Sequence, residues 1–404
     1  MNVVIAALSA PAQLNGVSRH AANLARGLLC QREIANVHFI VGAWQKGMFP
    51  QSGARSDPRL HMHCIPLSGG NLSLSRLAWY ALALPQIAAQ LDADVLHLAY
   101  PAPLNLRAMR CPTIVTLHDL YPFDFPQDFG RAKGVVGRAL MRQCLSRASA
   151  IACVSSSTRS QLSTWFGSEI VRKSVTILNS VEPVSACPSR PPRPLVEGVP
   201  FLLCVSQHRQ NKNIPLAIQI FERARRNGVL SRDALLVVVG IPGPATSKIW
   251  RQVRKSKLDQ NVVLLSGITD AELQWCYRHC GLLLAPSSVE GFGLPVAEAL
   301  LAGCPLVCSD IPAFREIGGD LVRYVPFGAN VLQDYEVAIR ETLLESRAGA
   351  IPMPHLAPSV IGRSYLALYR RLIGSLAGSH LDSIPQPEPE SKTTVAGKVQ
   401  SVFQ

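Results

Sequence analysis

Glu290 and Glu298 flank two glycines and a proline in the run Ser287-Ser288-Val289-Glu290-Gly291-Phe292-Gly293-Leu294-Pro295-Val296-Ala297-Glu298. Carboxylates accept hydrogen bonds from hydroxyls, so this pair suits a ligand with a sugar at one end and a ribose at the other. The residues between them add a second chemistry. Residues 282–285 read as a buried strand, 286–293 as a turn, and 295–301 as a helix whose proline sits in the first turn, where a missing N–H costs nothing. Glycines ahead of a helix N-terminus let the backbone approach a ligand, and the unpaired N–H groups there attract phosphate. The run has the mechanics of a phosphate loop without the G-x-G-x-x-G spacing.

The elements that must position this run recur along the chain. Short apolar stretches at residues 3–7, 37–41, 60–65, 95–98, 113–117, 151–154 and 175–178 alternate with helical patterns. The alternation restarts at 201–205, 235–239, 262–265, 282–285, 306–308 and 321–325. Continuous apolar runs separated by helices indicate strands covered on both faces, hence α/β units with mainly parallel sheets. A chain of 404 residues suits two such domains. The first is expected at 1–181, followed by a linker at 182–199 rich in proline (Pro183, Pro188, Pro191, Pro192, Pro194). The second occupies 200–354, a helix at 355–374 returns to the first domain, and 375–404 is a polar tail expected to be disordered. Ligands of open α/β sheets gather at the carboxyl ends of the strands, so chemistry is expected in the cleft between the two domains.

Composition narrows the partners. Hydrophobic residues make up 48% and charged ones 17%, which excludes a disordered or fibrous chain. The formal charge of +13 suits nucleic acid, an anionic lipid surface or a nucleotide diphosphate. Aromatics are only 6% and no zinc-finger spacing or basic heptad occurs, so nucleic acid is not an expected partner. The eleven cysteines are scattered, several within apolar runs, which fits reduced thiols in a cytoplasmic protein. The pairs Cys276/Cys280 and Cys304/Cys308 lack nearby histidines, and no metal site is expected there. The N-terminus has no signal-peptide pattern. The apolar helix at 77–84 is broken by Pro85 and is shorter than the roughly 20 residues needed to cross a bilayer.

The Glu290–Glu298 run, continued by Ala302-Gly303-Cys304-Pro305 and Arg315-Glu316-Ile317-Gly318-Gly319-Asp320, resembles the Glu-x7-Glu signature of glycosyltransferase family 4. The resemblance extends over most of the chain and implies the GT-B fold, two Rossmann-like doubly wound domains facing across a cleft. It implies that Glu290 contacts sugar hydroxyls, that amides around Gly291, Phe292, Gly293 and Leu294 contact sugar or phosphate, and that Glu298 holds the ribose. Leu202 to Asn213 resembles the family's strand-to-helix segment, which makes Lys212 the diphosphate cation. The arginine usual five or six residues earlier is replaced by Gln207 and Ser206; Arg209 either reaches the same phosphate or faces solvent. Thr116-Leu117-His118-Asp119-Leu120-Tyr121-Pro122 resembles an element of mannosyltransferase-like members whose histidine, here His118, approaches the donor sugar. Leu14-Asn15-Gly16 resembles the N-terminal glycine loop near the donor phosphate, with Asn15 in place of a glycine, and Asn179-Ser180-Val181 the family's Asn-Gly-Val strand end. Ser266, Gly267 and Ile268 correspond to the turn beside the base. Asp92-Ala93-Asp94, similar to the metal motif of the other large glycosyltransferase fold, reads as an ordinary turn.

The resemblance implies transfer of a hexosyl group with retention at the anomeric carbon, with GDP-mannose favoured over UDP-sugars as donor, and no cofactor or metal. A glycan or lipid-linked glycan of surface polysaccharide synthesis is the expected acceptor. Residues 130–147 hold Arg131, Lys133, Arg138, Arg142 and Arg147 without an acid, which suits either contact with an anionic membrane at its inner face or a solvated helix. The alternatives are another GT-B enzyme, such as a sugar-nucleotide epimerase, and a non-catalytic sugar-nucleotide-binding subunit.

Overall fold

Two parallel sheets are wound alike. In the first, β1 (Asn2–Ala6), β2 (Asn36–Gly42), β3 (Leu60–Ile65), β4 (Val95–Leu98), β5 (Thr113–Leu117), β6 (Ala150–Cys153) and β7 (Ser174–Thr176) lie in the order β3-β2-β1-β4-β5-β6-β7. In the second, β8 (Phe201–Val205), β9 (Leu235–Val239), β10 (Val262–Leu265), β11 (Leu282–Ala285), β12 (Leu306–Ser309) and β13 (Arg323–Val325) lie in the order β10-β9-β8-β11-β12-β13. The computed structural model describes residues 1–9, 16–48, 57–67, 72–182, 187–191, 198–347 and 349–376. Leu14 and Asn15 of the N-terminal loop, linker residues 183–186 and 192–197, and tail residues 377–404 lie outside the described residues.

The apolar runs explain the layering. Leu203, Val237 and Leu283 pack on one face of the second sheet, while Leu202, Leu236, Leu282 and Leu284 pack on the other. Each such side chain, fully buried, contributes about 1.5–3 kcal/mol. Helices cover both faces of each sheet: α1 (Gly16–Leu29), α2 (Leu72–Ala78), α3 (Leu84–Gln90), α4 (Tyr121–Asp124), α5 (Arg131–Arg147), α6 (Ser156–Trp165) and α7 (Ser168–Arg172) precede the proline-rich stretch. After it come α8 (Ile214–Arg226), α9 (Thr246–Lys255), α10 (Asp270–His279), α11 (Leu294–Leu301), α12 (Pro312–Gly318), α13 (Val331–Leu344) and α14 (Pro358–Leu376).

The last helix crosses back. Ile361, Tyr365, Leu366, Leu368 and Tyr369 of α14 lie in the core beneath α1. Gly27 and Gly362 meet at this crossing, where a Cβ on either would overlap the other helix's backbone.

Several boundaries differ from the sequence reading, and three of the differences have a clear physical reason. Pro85 does not break its helix: a π-helical turn at Trp79–Ala83 joins α2 to α3. Pro85 then falls in the first turn of α3, where its N–H is not needed. β13 starts at Arg323 because Leu321 is solvent-exposed and not part of the sheet. More consequentially, α1 starts at Gly16, within the motif read as a glycine loop, and Ser18 and His20 are buried in its first turns. Arg19 therefore projects from a helix and not from a loop.

Candidate active site

Strand order reverses between β1 and β4 in one sheet and between β8 and β11 in the other, and the loops leaving such strands form the crevice of a wound sheet. In the second lobe those loops carry Lys212 and Glu290. Lys212 closes a 3₁₀ turn (Gln210–Lys212), after which Asn213 adopts a left-handed conformation (φ 52°). The two loops are laced together: Asn211 Nδ2 donates to the Val289 carbonyl at 2.9 Å and Ser288 N donates to the Asn211 carbonyl at 2.8 Å. Lys212 Nζ lies 2.5 Å from Glu290 Oε2, with the carboxylate side chain 9% exposed. Residues 78 apart in sequence thus form one cation–carboxylate pair.

Beyond Glu290, Gly293 (φ 102°) precedes α11, and no side chain caps that helix. Phe292 points into the core, so only its backbone is available to a ligand. The N-terminus of α1 stands opposite: a Cβ on Gly16 would lie 3.4 Å from Leu294 Cδ1. Two helix N-termini therefore face one space, a positive setting for an anion.

Glu298 lies at the far side of α11's first turn. It accepts a hydrogen bond from Tyr277 OH at 2.9 Å. Burial raises its pKa, with Arg19 and the tyrosine hydrogen bond opposing. Arg19 itself comes from the other lobe and forms an ion pair with Asp270, the first residue of α10. Burial works to lower the Arg19 pKa, but Glu298 and Asp270 outweigh it and the net shift is upward. Arg19, Asp270 and Tyr277 were not singled out from the sequence. The one available signal was an arginine three residues after Gly16. Ser266, Gly267 and Ile268 occupy the turn just before Asp270, with Thr269 and Glu272 forming a capping box for α10.

The first lobe meets the second at Gly291. Its carbonyl accepts hydrogen bonds from Ser155 Oγ and, at 2.9 Å, from Thr158 Oγ1. Its Cα lies so close to the His118 carbonyl that any Cβ would overlap that oxygen. Glu316 of α12 caps the N-terminus of α6, accepting from Ser156 N at 2.9 and 3.0 Å. Arg209 lies over the Tyr121 ring, 5.1 Å from its centroid, and 3.9 Å from Asp119. It turns toward the first lobe and partners that lobe's acid and aromatic ring.

His118 Nε2 lies 2.9 Å from the Ala99 carbonyl. A carbonyl only accepts, so Nε2 carries the proton and Nδ1 is the ring's acceptor. Burial lowers the His118 pKa, against the Ala99 hydrogen bond and the Asp119 charge, which favours this neutral form. Behind it runs a buried chain unmarked in sequence. Tyr369 OH is 2.6 Å from His97 Nδ1, His97 Nε2 is 2.8 Å from Thr116 Oγ1, and Thr116 Oγ1 is 3.1 Å from His20 Nε2. We assign donors in that order, which gives each ring one proton and each hydroxyl one acceptor. His20 packs edge-on to His118 at 4.9 Å, so the chain ties α14 to the cleft. Asp94 accepts from Asn2 N at 2.7 Å and Asp92 adopts a positive φ of 46°, a structural turn before β4.

Two doubly wound lobes with a polar cleft between their strand ends define the GT-B class of fold. Solved structures agree: the chain superimposes on WaaG, a glycosyltransferase involved in lipopolysaccharide biosynthesis (TM-score 0.60, 16% identity, 94% of this chain and 100% of that one). It does so likewise on sucrose-phosphate synthase of Thermosynechococcus elongatus (TM-score 0.65, 15% identity, 93% and 99%). The profile described as Glycosyltransferase Family 4 matches residues 14–184, and that described as Glycosyl transferases group 1 matches residues 188–346. The chain belongs to glycosyltransferase family 4 and is a glycosyltransferase. O-antigen chain mannosyltransferase B of Escherichia coli is 25% identical over 335 residues, 79% of this chain and 85% of the relative. O-antigen chain mannosyltransferase RfbU of Salmonella typhimurium is 28% identical over 205 residues, 50% of this chain and 53% of the relative. Among the described residues no helix is long and apolar enough to cross a membrane, and no group of three His, Cys, Asp or Glu is arranged to hold a metal ion.

Proposed function

We propose that the protein transfers a hexosyl group, with retention, from a sugar nucleotide to a glycan or lipid-linked glycan in surface polysaccharide synthesis. Mannose from GDP-mannose is the favoured donor. The observation that carries the reading is the Lys212–Glu290 pair at the switch point, beside the uncapped N-terminus of α11. In this account Lys212 leaves Glu290 for the diphosphate, and the carboxylate turns to the sugar hydroxyls. A fixed cation there stabilises charge that builds on the leaving phosphate in the transition state. Glu298 accepts the ribose hydroxyls, and the turn at Ser266, Gly267 and Ile268 borders the base.

The missing arginine at 206 and 207 has a replacement in this reading. Arg19, aimed from α1 at the ribose end of the site, serves as the second phosphate cation, while Arg209 remains with Asp119 and Tyr121. His118 accepts a hydroxyl hydrogen bond from the substrate on Nδ1 and donates none to it, its Nε2–H being held by the Ala99 carbonyl. The acceptor hydroxyl attacks from the face that the diphosphate leaves, and the leaving phosphate oxygen takes its proton. The bond to the diphosphate breaks as the new glycosidic bond forms, and charge is met by Lys212, Arg19 and backbone amides without a metal or cofactor. The E. coli and Salmonella mannosyltransferases support the choice of donor sugar and of pathway. The basic helix α5 rests on an anionic membrane at its inner face and brings the cleft to a lipid-linked acceptor.

A thermal-shift panel of sugar nucleotides tests the donor. A ligand at 100 times its Kd stabilises by about 2.7 kcal/mol. GDP-mannose is expected to give the largest shift, reduced in Lys212→Ala and Glu290→Ala. No shift with any sugar nucleotide would overturn the reading.

A further inference from the structure

Helices α5 and α9 both carry cations and no acid. Arg131, Lys133, Arg138, Arg142 and Arg147 lie on α5, and Lys248, Arg251, Arg254 and Lys255 on α9. Ile249 and Val253 bury the inner face of α9, leaving those cations and Trp250 outward. Both helices also expose apolar surface: Val135 (59%) and Val136 (53%) on α5, Trp250 (39%) on α9. A third such group adjoins α5. Trp165, 40% exposed, packs 5.4 Å from the Phe123 ring, and the Arg142 guanidinium stands 4.8 Å from that same ring.

The two helices start from neighbouring loops. Four residues before α5, Gln127 Nε2 donates to Gln210 Oε1 at 3.3 Å, across the lobe boundary. Two residues before Gln210, His208 Nδ1 lies 3.0 Å from the hydroxyl of Thr246, the first residue of α9. In a parallel sheet each crossover helix leaves the carboxyl end of one strand and returns to the amino end of the next. From these joined loops at the cleft's edge, α5 therefore descends the first lobe and α9 the second.

We propose that α9, with Trp250 at its centre, is the second half of a membrane-docking surface that straddles the cleft. Its occupant is the surface of an anionic lipid bilayer. The proposal rests on the reading of α5 given above and extends it to the nucleotide-binding lobe. The chemistry is that of an interfacial helix: cations meet lipid phosphates, and indole rings sit at headgroup level. Because the surface spans both lobes, a bilayer that engages α5 and α9 together favours the arrangement in which Gly291 meets His118.

Flotation with vesicles tests it, using phosphatidylcholine alone and phosphatidylcholine with phosphatidylglycerol in equal parts. Wild-type protein is expected to float only with the anionic vesicles. Each Lys or Arg removed from such a surface lowers partitioning about fivefold, so Arg251→Glu/Arg254→Glu is expected to lower it at least about 25-fold. Trp250→Ala is expected to weaken flotation with every charge retained. Donor-induced thermal stabilisation, unchanged in these variants, checks that they are folded. If Arg138→Glu/Arg142→Glu abolishes flotation and the α9 variants do not, the inference is overturned and the α5 reading stands. If only the α9 variants lose flotation, α9 docks alone, and the α5 reading falls together with the surface that straddles the cleft. If neither set does, both fall; if the α9 reversal abolishes binding to single-stranded RNA while flotation is unaffected, the inference alone is overturned.

Discussion

Arg19 gives opposite predictions for the two ends of one ion pair. Its side chain is 29% exposed and that of Asp270 39% exposed, so their bridge contributes no more than about 1 kcal/mol. Hydrogen bonds to a charged group contribute about 1.5–3 kcal/mol, and partial solvation of Arg19 reduces this to about 1–2 kcal/mol for a bound diphosphate. Arg19→Ala should therefore weaken GDP binding about 5- to 30-fold more than it weakens guanosine binding. Asp270→Asn should tighten GDP binding, by up to about fivefold, because the arginine no longer has to leave a carboxylate. Titration calorimetry with GDP and guanosine reads both effects. If Asp270→Asn weakens GDP binding in parallel with Arg19→Ala, the pair is a strut between lobes and the phosphate role of Arg19 is refuted.

Lys212→Ala should lower kcat about 100-fold or more, since one fixed donor to developing charge is commonly worth that much; steady-state kinetics check it. Gly291→Ala places a methyl group against the His118 carbonyl, and at about 1–3 kcal/mol for overpacking should lower kcat/KM about 5- to 150-fold with each lobe still folded, as circular dichroism would verify. Stability should fall with acidity. The His97 pKa is pushed down to about 3 by burial and then by His118, and that of His20 lies well below its ordinary value through burial, His118 and His97. In the unfolded chain both take up protons below about pH 6.5, and the folded protein does not. The stability present above that pH is therefore lost as pH falls toward the folded values, at about 1.4 kcal/mol per pH unit for each histidine. Urea denaturation between pH 7 and pH 5 should show this loss, and His97→Gln should reduce its slope.

The strands were legible because a strand buried on both faces reads as an unbroken apolar run. Residues 282–285 and 201–205 coincide with β11 and β8 for that reason. Glu290, Glu298 and Lys212 stood out by local pattern and family resemblance. Their mutual arrangement did not, because the Lys212–Glu290 pair follows from the strand-order reversal between β8 and β11, a property of topology. Arg19 is not legible as a site residue because its partner lies 251 positions away and its direction depends on α1 starting at Gly16. His97 sits in a short apolar strand, and its phenolic partner Tyr369 is 272 positions distant on a helix that must first cross back. Side-chain networks between distant segments leave no periodic trace in sequence, whereas buried strands and helix stripes do.

Retention at the anomeric carbon is the central chemical claim. NMR observation of the first product formed from GDP-α-mannose reads it directly, before any free sugar equilibrates between anomers. An α-configured product, lost together with nucleotide release in Lys212→Ala and Glu290→Ala, is predicted; a β-configured first product would contradict the account.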